Sequence, residues 1–233
     1  MNFQQGEVLY FDKPLTWTSF DLVNRIRNLI TRYLGNKIKV GHAGTLDPLA
    51  TGVMILTTGK ATKRIEELQS AEKEYIATLK LGETTPSFDL EHKVDKTFPF
   101  EHITREIVEK TLKNFVGEIW QIPPIFSAVK VNGKRAFDYA RKGNEVELKA
   151  KLLIIKEIEI IDFALPILKI CVVCSKGTYI RALARDIGIA LDSGAHLTAL
   201  QRTRIGNITL ENCQTIEQFV EKLNIQKDIL TTN

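Results

Sequence analysis

One short stretch of the chain gathers the residue types that catalysis needs. Gly41-His42-Ala43-Gly44-Thr45-Leu46-Asp47-Pro48-Leu49-Ala50-Thr51-Gly52 holds three glycines, one proline, one histidine and one carboxylate. Glycine permits backbone angles and close approaches denied to other residues. Leu46, Leu49 and Ala50 give Asp47 a partly dry setting, and Pro48 steers it away from the helical region. A carboxylate held rigidly among apolar groups can act as nucleophile or base. An isolated Asp-Pro is also at home in a turn where the aspartate satisfies its own backbone, so the residues alone leave both readings open.

The elements that must position this stretch are legible on either side. Thr18-Ser19-Phe20-Asp21 resembles a capping box, and Leu22, Val23, Ile26, Leu29, Ile30 and Tyr33 follow at helical spacing. Glu7 to Phe11 and Val53 to Thr58 read as strands, and Lys60 to Ser70 as a helix. Lys73 to Leu81 alternates Tyr75, Ala77, Leu79 and Leu81 on one face, as a half-buried strand does. Thr104 to Val116 is an amphipathic helix with Gly117 expected as its C-cap. Asn132-Gly133 signals a hairpin. Leu152 to Phe163 and Ile167 to Cys174 read as long strands, with helices over Thr178 to Leu191 and Thr215 to Leu223. The sum is α+β: a mixed, mostly antiparallel sheet flanked by helices. No repeat or linker cuts the chain, so one domain over 1–233 is expected.

Composition narrows the setting. No apolar run approaches the ~18 residues that span a bilayer, and the N-terminus lacks a signal-peptide pattern, so a cytoplasmic protein is expected. Cys171 and Cys174 lie on a strand, where residues three apart point to opposite faces; buried small side chains are expected rather than a bridge or metal site. From Ser127 to Lys151 there are seven basic residues (Lys130, Lys134, Arg135, Arg141, Lys142, Lys149, Lys151) against three acids, an excess equal to the +4 charge of the whole chain. Phe126, Phe137 and Tyr139 interleave with them. Charge beside stacking groups suits RNA, and composition alone fits a solvated loop equally well.

The Gly41–Gly52 stretch resembles the active-site loop of the bacterial tRNA pseudouridine-55 synthases, the TruB-type family. Lys73-Glu74-Tyr75 is similar to the family's K-x-Y segment, and Gln121 to Lys130 to its Q-x-P-P-x-[FY]-S-A-x-K run. Lys176-Gly177-Thr178-Tyr179-Ile180-Arg181 matches K-G-T-Y-I-R, followed by Gly194-Ala195-His196-Leu197 and Leu200-Gln201-Arg202. Ala43 departs from the family's common threonine.

The resemblance implies a pseudouridine-synthase-like catalytic domain that isomerises a T-loop uridine of tRNA without cofactor or metal. Asp47 is then the essential carboxylate, attacking C1′ or removing a sugar proton, and Arg181 its cationic partner. Tyr75 stacks on the uracil and assists at C5; Tyr179 and Leu200 line its pocket. His42 fills the space left by the flipped base, a step that costs a few kcal/mol. Asp89 is expected to contact RNA or order its loop. The segment at about 123–151, with Lys130 and Arg141, grips T-arm phosphates. No separate C-terminal RNA-binding domain and a monomer are expected. Two rivals bear comparison. An RNA chaperone would not need Asp47 and Arg181. An aspartyl-phosphate hydrolase wants a second carboxylate two residues from Asp47, where Thr45 and Leu49 stand.

Overall fold

The computed structural model describes residues 1–131, 133–140 and 146–231. In chain order its strands and helices are β1 (Val8–Lys13), α1 (Ser19–Leu34), β2 (Val40–His42), β3 (Ala50–Thr58), α2 (Ile65–Ser70), β4 (Lys73–Leu81), β5 (Glu83–Thr84), β6 (Lys96–Thr97), α3 (Arg105–Lys113), β7 (Gly117–Gln121), β8 (Lys130–Val131), β9 (Lys134–Arg135), α4 (Ala136–Ala140), β10 (Lys151–Ala164), β11 (Ile167–Cys174), α5 (Ile180–Ala190), β12 (Ala195–Ile205), β13 (Ile208–Thr209) and α6 (Ile216–Thr231). Two compact units contain them: residues 1–73 with 201–233, and residues 74–200.

The first unit joins both ends of the chain around β3. Antiparallel pairing sets β1 against β3 from Val8↔Thr57 to Lys13↔Gly52, and β2 against β3 from Val40↔Thr58 to His42↔Leu56. Nearly every β3 residue is buried, because apolar groups cover both of its faces. Met54 and Leu56 join Phe3, Phe11, Leu22, Ile26, Ile30 and Phe219 on one side, while Val53 and Ile55 join Ala43 and Ile205 on the other. Phe219 of α6 meets Phe11 edge-on at 5.4 Å and Phe3 at 6.2 Å. Each such buried ring contributes about 1.5–3 kcal/mol. α1 begins with the expected capping box, Thr18 and Asp21 each bonding the other's backbone, and stops at Gly35 in the left-handed region (φ 71°).

In the second unit the strand order is β12–β4–β11–β10–β7, with Ala195–Leu200 of β12 in this unit. β4 has the expected bounds, with Lys73, Tyr75, Ala77, Leu79 and Leu81 buried in strict alternation. β10 pairs antiparallel with both β11 and β7, and α3 packs on β10 and α5. Asn132-Gly133 does mark a hairpin: Lys130↔Arg135 and Val131↔Lys134 pair around Gly133, although Asn132 itself lies outside the described residues.

Three expectations need correction. The helix from Thr104 ends at Lys113, capped by Asn114, and Gly117 (φ 104°) opens β7 instead. The Lys60–Ser70 segment divides into a 3₁₀ turn (Gly59–Arg64) and α2. Cys174 is buried as expected, but Cys171 is half-buried.

Candidate active site

Asp47 sits half-buried in the irregular stretch between β2 and β3, all within the first unit. The loop is fastened through its backbone. On one side, Ser19 of α1 bonds Leu46 twice: its Oγ donates to the Leu46 carbonyl (3.0 Å) and accepts from the Leu46 N–H (2.8 Å). The Thr16 N–H donates to the Pro48 carbonyl at 2.8 Å. Thr16 holds φ 69°, a left-handed conformation that costs a β-branched residue about 1–3 kcal/mol. That strain sits beside Asp47, and the Ala50 N–H closes the turn on the Asp47 carbonyl at 3.1 Å. From β12, Arg202 donates to the carbonyls of Gly44, Thr45 and Val53.

Two further groups complete this cluster. Lys13 is fully buried at the end of β1, and its ammonium donates to the carbonyls of Pro14 (2.9 Å) and Trp17 (2.6 Å). Burial pulls its pKa down to about 8, opposed chiefly by the negative charge of Asp47 and assisted by Arg202. His42, half-buried on β2, has its pKa lowered by burial, with the Gly44 backbone acting the other way. A neutral imidazole therefore stands at the entry to the Asp47 loop at pH 7.

The remaining candidates lie in the second unit. Arg181, in the first turn of α5, is 4% exposed, and Nη1 donates to the Ser87 carbonyl (3.2 Å) and Nη2 to that of Phe126 (2.9 Å). Its Nε lies 3.7 Å from an Asp89 carboxylate oxygen, and both side chains are at least nine-tenths buried. Asp89 reaches that place through a contorted turn in which Phe88 holds φ 61°; its other carboxylate oxygen accepts from the Glu91 N–H at 3.0 Å. Tyr179 is the N-cap of α5, with its main chain gripped by Gln121, which accepts from the Tyr179 N–H (2.9 Å) and donates to its carbonyl (3.2 Å). Tyr75 is buried on the inward face of β4, and Leu200 is half-buried on β12. Lys130, Lys134, Arg135, Lys149 and Lys151 are all exposed. Arg141 lies outside the described residues.

The comparisons with known proteins bear on these motifs directly. The model of the TruB family pseudouridylate synthase N-terminal domain matches residues 31–180, and that of the tRNA pseudouridylate synthase B C-terminal domain matches residues 181–232. The chain belongs to the TruB family. Among TruB relatives, the tRNA pseudouridine synthase B of Phocaeicola vulgatus is 70% identical over 97% of both chains. That of Flavobacterium johnsoniae is 51% identical over 95% of this chain and 97% of the relative. In fold, the chain resembles one in a Cbf5-Nop10-Gar1 complex, with TM-score 0.71 and 31% identity over 95% of this chain and 55% of that one. It likewise resembles a chain of an H/ACA RNP bound to a substrate RNA containing 2'-deoxyuridine, with TM-score 0.69 and 27% identity over 97% and 56% of the two chains.

Among the TruB-family residues described above, three have surroundings that the sequence discloses only in part. Lys13 carries a signal: it continues the inward parity of Leu9 and Phe11 on β1, an unusual place for a lysine. Asp89 is legible as a residue for RNA contact or loop order, and its carboxylate does hold the Glu91 N–H of its own loop; that it also faces Arg181 is not legible. Arg202 belongs to a family motif that assigns it no role, and nothing local to it announces acceptors on β3.

Proposed function

We propose that this chain converts a uridine in the T-arm of tRNA, at position 55, to pseudouridine. The observation that carries the reading is the Asp47 loop: a family motif whose backbone is tied down on both sides of a carboxylate that remains half-exposed. The reaction breaks the N1–C1′ bond, turns the uracil over and rejoins it through C5. Asp47 acts at the ribose, by attack on C1′ or by removal of a sugar proton. Either role needs an ionised carboxylate, with Arg181 as its cationic partner. Asp89 and the carbonyls of Ser87 and Phe126 support this role by holding the guanidinium of Arg181 in a fixed orientation.

Tyr75 stacks on the uracil and assists deprotonation at C5, while Tyr179 and Leu200 line the pocket. His42, neutral at pH 7, enters the space left by the flipped base without the cost of burying a charge. The exposed basic residues of the 123–151 segment, Lys130 among them, hold phosphates, and Arg141, outside the described residues, is assigned the same role. The chain works as a single catalytic domain, as a monomer in the cytoplasm; among the described residues no helix is long and apolar enough to cross a membrane.

The test uses tRNA transcript tritiated at uridine C5, with wild-type protein and Asp47→Asn. Tritium release by the wild type and none by the variant supports both reaction and residue. A wild type that binds tRNA and releases no tritium replaces this reading with an RNA chaperone.

A further inference from the structure

Arg202 takes no part in the chemistry above, yet it heads the large side chains buried almost completely, at 1% exposure. A guanidinium so far from water needs hydrogen-bond acceptors. Its acceptors are backbone carbonyls on the two stems of the Asp47 loop. Nε donates to Val53 (2.8 Å), Nη1 to Thr45 (3.3 Å) and Nη2 to Gly44 (3.3 Å). Two of these precede Asp47 and the third follows it, where the chain has entered β3. A carbonyl cannot turn without its whole peptide plane, so one planar side chain fixes three planes around the carboxylate.

The Arg202 backbone closes on the same loop. A Cβ added to Gly52 would stand 2.1 Å from the Arg202 carbonyl oxygen and 2.8 Å from its nitrogen, and Gly52 itself holds φ 110°. Main chain and side chain of one residue thus both abut the loop's second stem. Lysine could keep the charge but, as a point donor on a flexible stem, could not reproduce a rigid fork spanning divergent acceptors.

We infer that Arg202 is a positioning residue of the isomerase, setting the spacing of the two loop stems and thereby the placement of the Asp47 carboxylate. The inference rests on Asp47 being the reacting carboxylate.

The test compares wild type, Arg202→Lys and Arg202→Met in single-turnover tritium release at saturating tRNA, beside the tRNA Kd of each. Rates are expressed per folded molecule, with the folded fraction measured by circular dichroism at the assay temperature, so partial unfolding cannot mimic the effect. The expected result is a rate per folded molecule lower by about 10²-fold in Arg202→Lys, with tRNA affinity unchanged, and a larger loss in Arg202→Met. A structural role alone lowers the folded fraction and leaves the rate per folded molecule at the wild-type value; that outcome overturns the inference. An inactive wild type would instead sink the isomerase reading, which separates the two failures.

Discussion

Lys13 gives the loop around Asp47 a signature in pH. Its pKa of about 8 in the folded chain lies below the ordinary value of 10.5. Between those values the unfolded chain binds more protons than the folded one, so stability rises with pH across that window. Deprotonation does not break its bonds, because a neutral amine still has two hydrogens for the carbonyls of Pro14 and Trp17. The unfolding free energy in urea should therefore shift in favour of wild type over Lys13→Met as pH is raised from about 8 to about 10. A difference that stays flat counts against a buried ammonium. The residue scale is also where the sequence is least informative. Asp47 stands out because its neighbours form a motif, whereas Asp89 acquires its place beside Arg181 from a turn with Phe88 at positive φ. No local pattern predicts that turn.

Elements are easier to read, wherever a single periodicity governs them. The alternation over Lys73 to Leu81 gives β4 its true bounds, and the capping box of α1 is visible in four residues. The end of α3 is misjudged because Gly117 looks like a cap, while its positive φ serves the entry to β7. Long-range pairings leave no trace at all: the bond from Arg202 to Val53 joins residues 149 apart. Two glycines of the Asp47 stretch allow a paired prediction. Gly44 and Gly52 both hold left-handed backbone, at φ 115° and 110°. At Gly44 an added Cβ meets nothing nearer than 3.7 Å, but at Gly52 it meets Arg202 main chain at 2.1 Å. Gly44→Ala should cost only the backbone strain, about 1–3 kcal/mol. Gly52→Ala adds a steric clash and should cost clearly more, with urea unfolding as the measure. Equal losses would mean that backbone conformation alone requires glycine at both sites.

For the molecule as a whole, the uneven distribution of charge matters more than its sum. The net charge is only +4, yet Lys130, Lys134 and Arg135 stand exposed together on one short hairpin and its edge. Replacing all three by alanine should flatten the dependence of log Kd for tRNA on log salt, by about 0.7–0.9 for each phosphate no longer neutralised. Under the proposed role, in which these side chains hold phosphates and not the reacting base, turnover at saturating tRNA should be unchanged. An unaltered salt slope would mean that phosphates are gripped elsewhere on the chain.

The first unit is assembled from residues 1–73 and 201–233, and this has a consequence for synthesis. A chain emerging from the ribosome presents the Asp47 segment early, but Arg202 and the Phe219 helix arrive last. Until they do, the segment lacks three of its carbonyl bonds, and β3 lacks the cover of α6. A nascent polypeptide therefore presents the Asp47 segment before the bonds that hold it can form. Activity should appear abruptly once Arg202 and α6 have been added, rather than in proportion to the chain's growth.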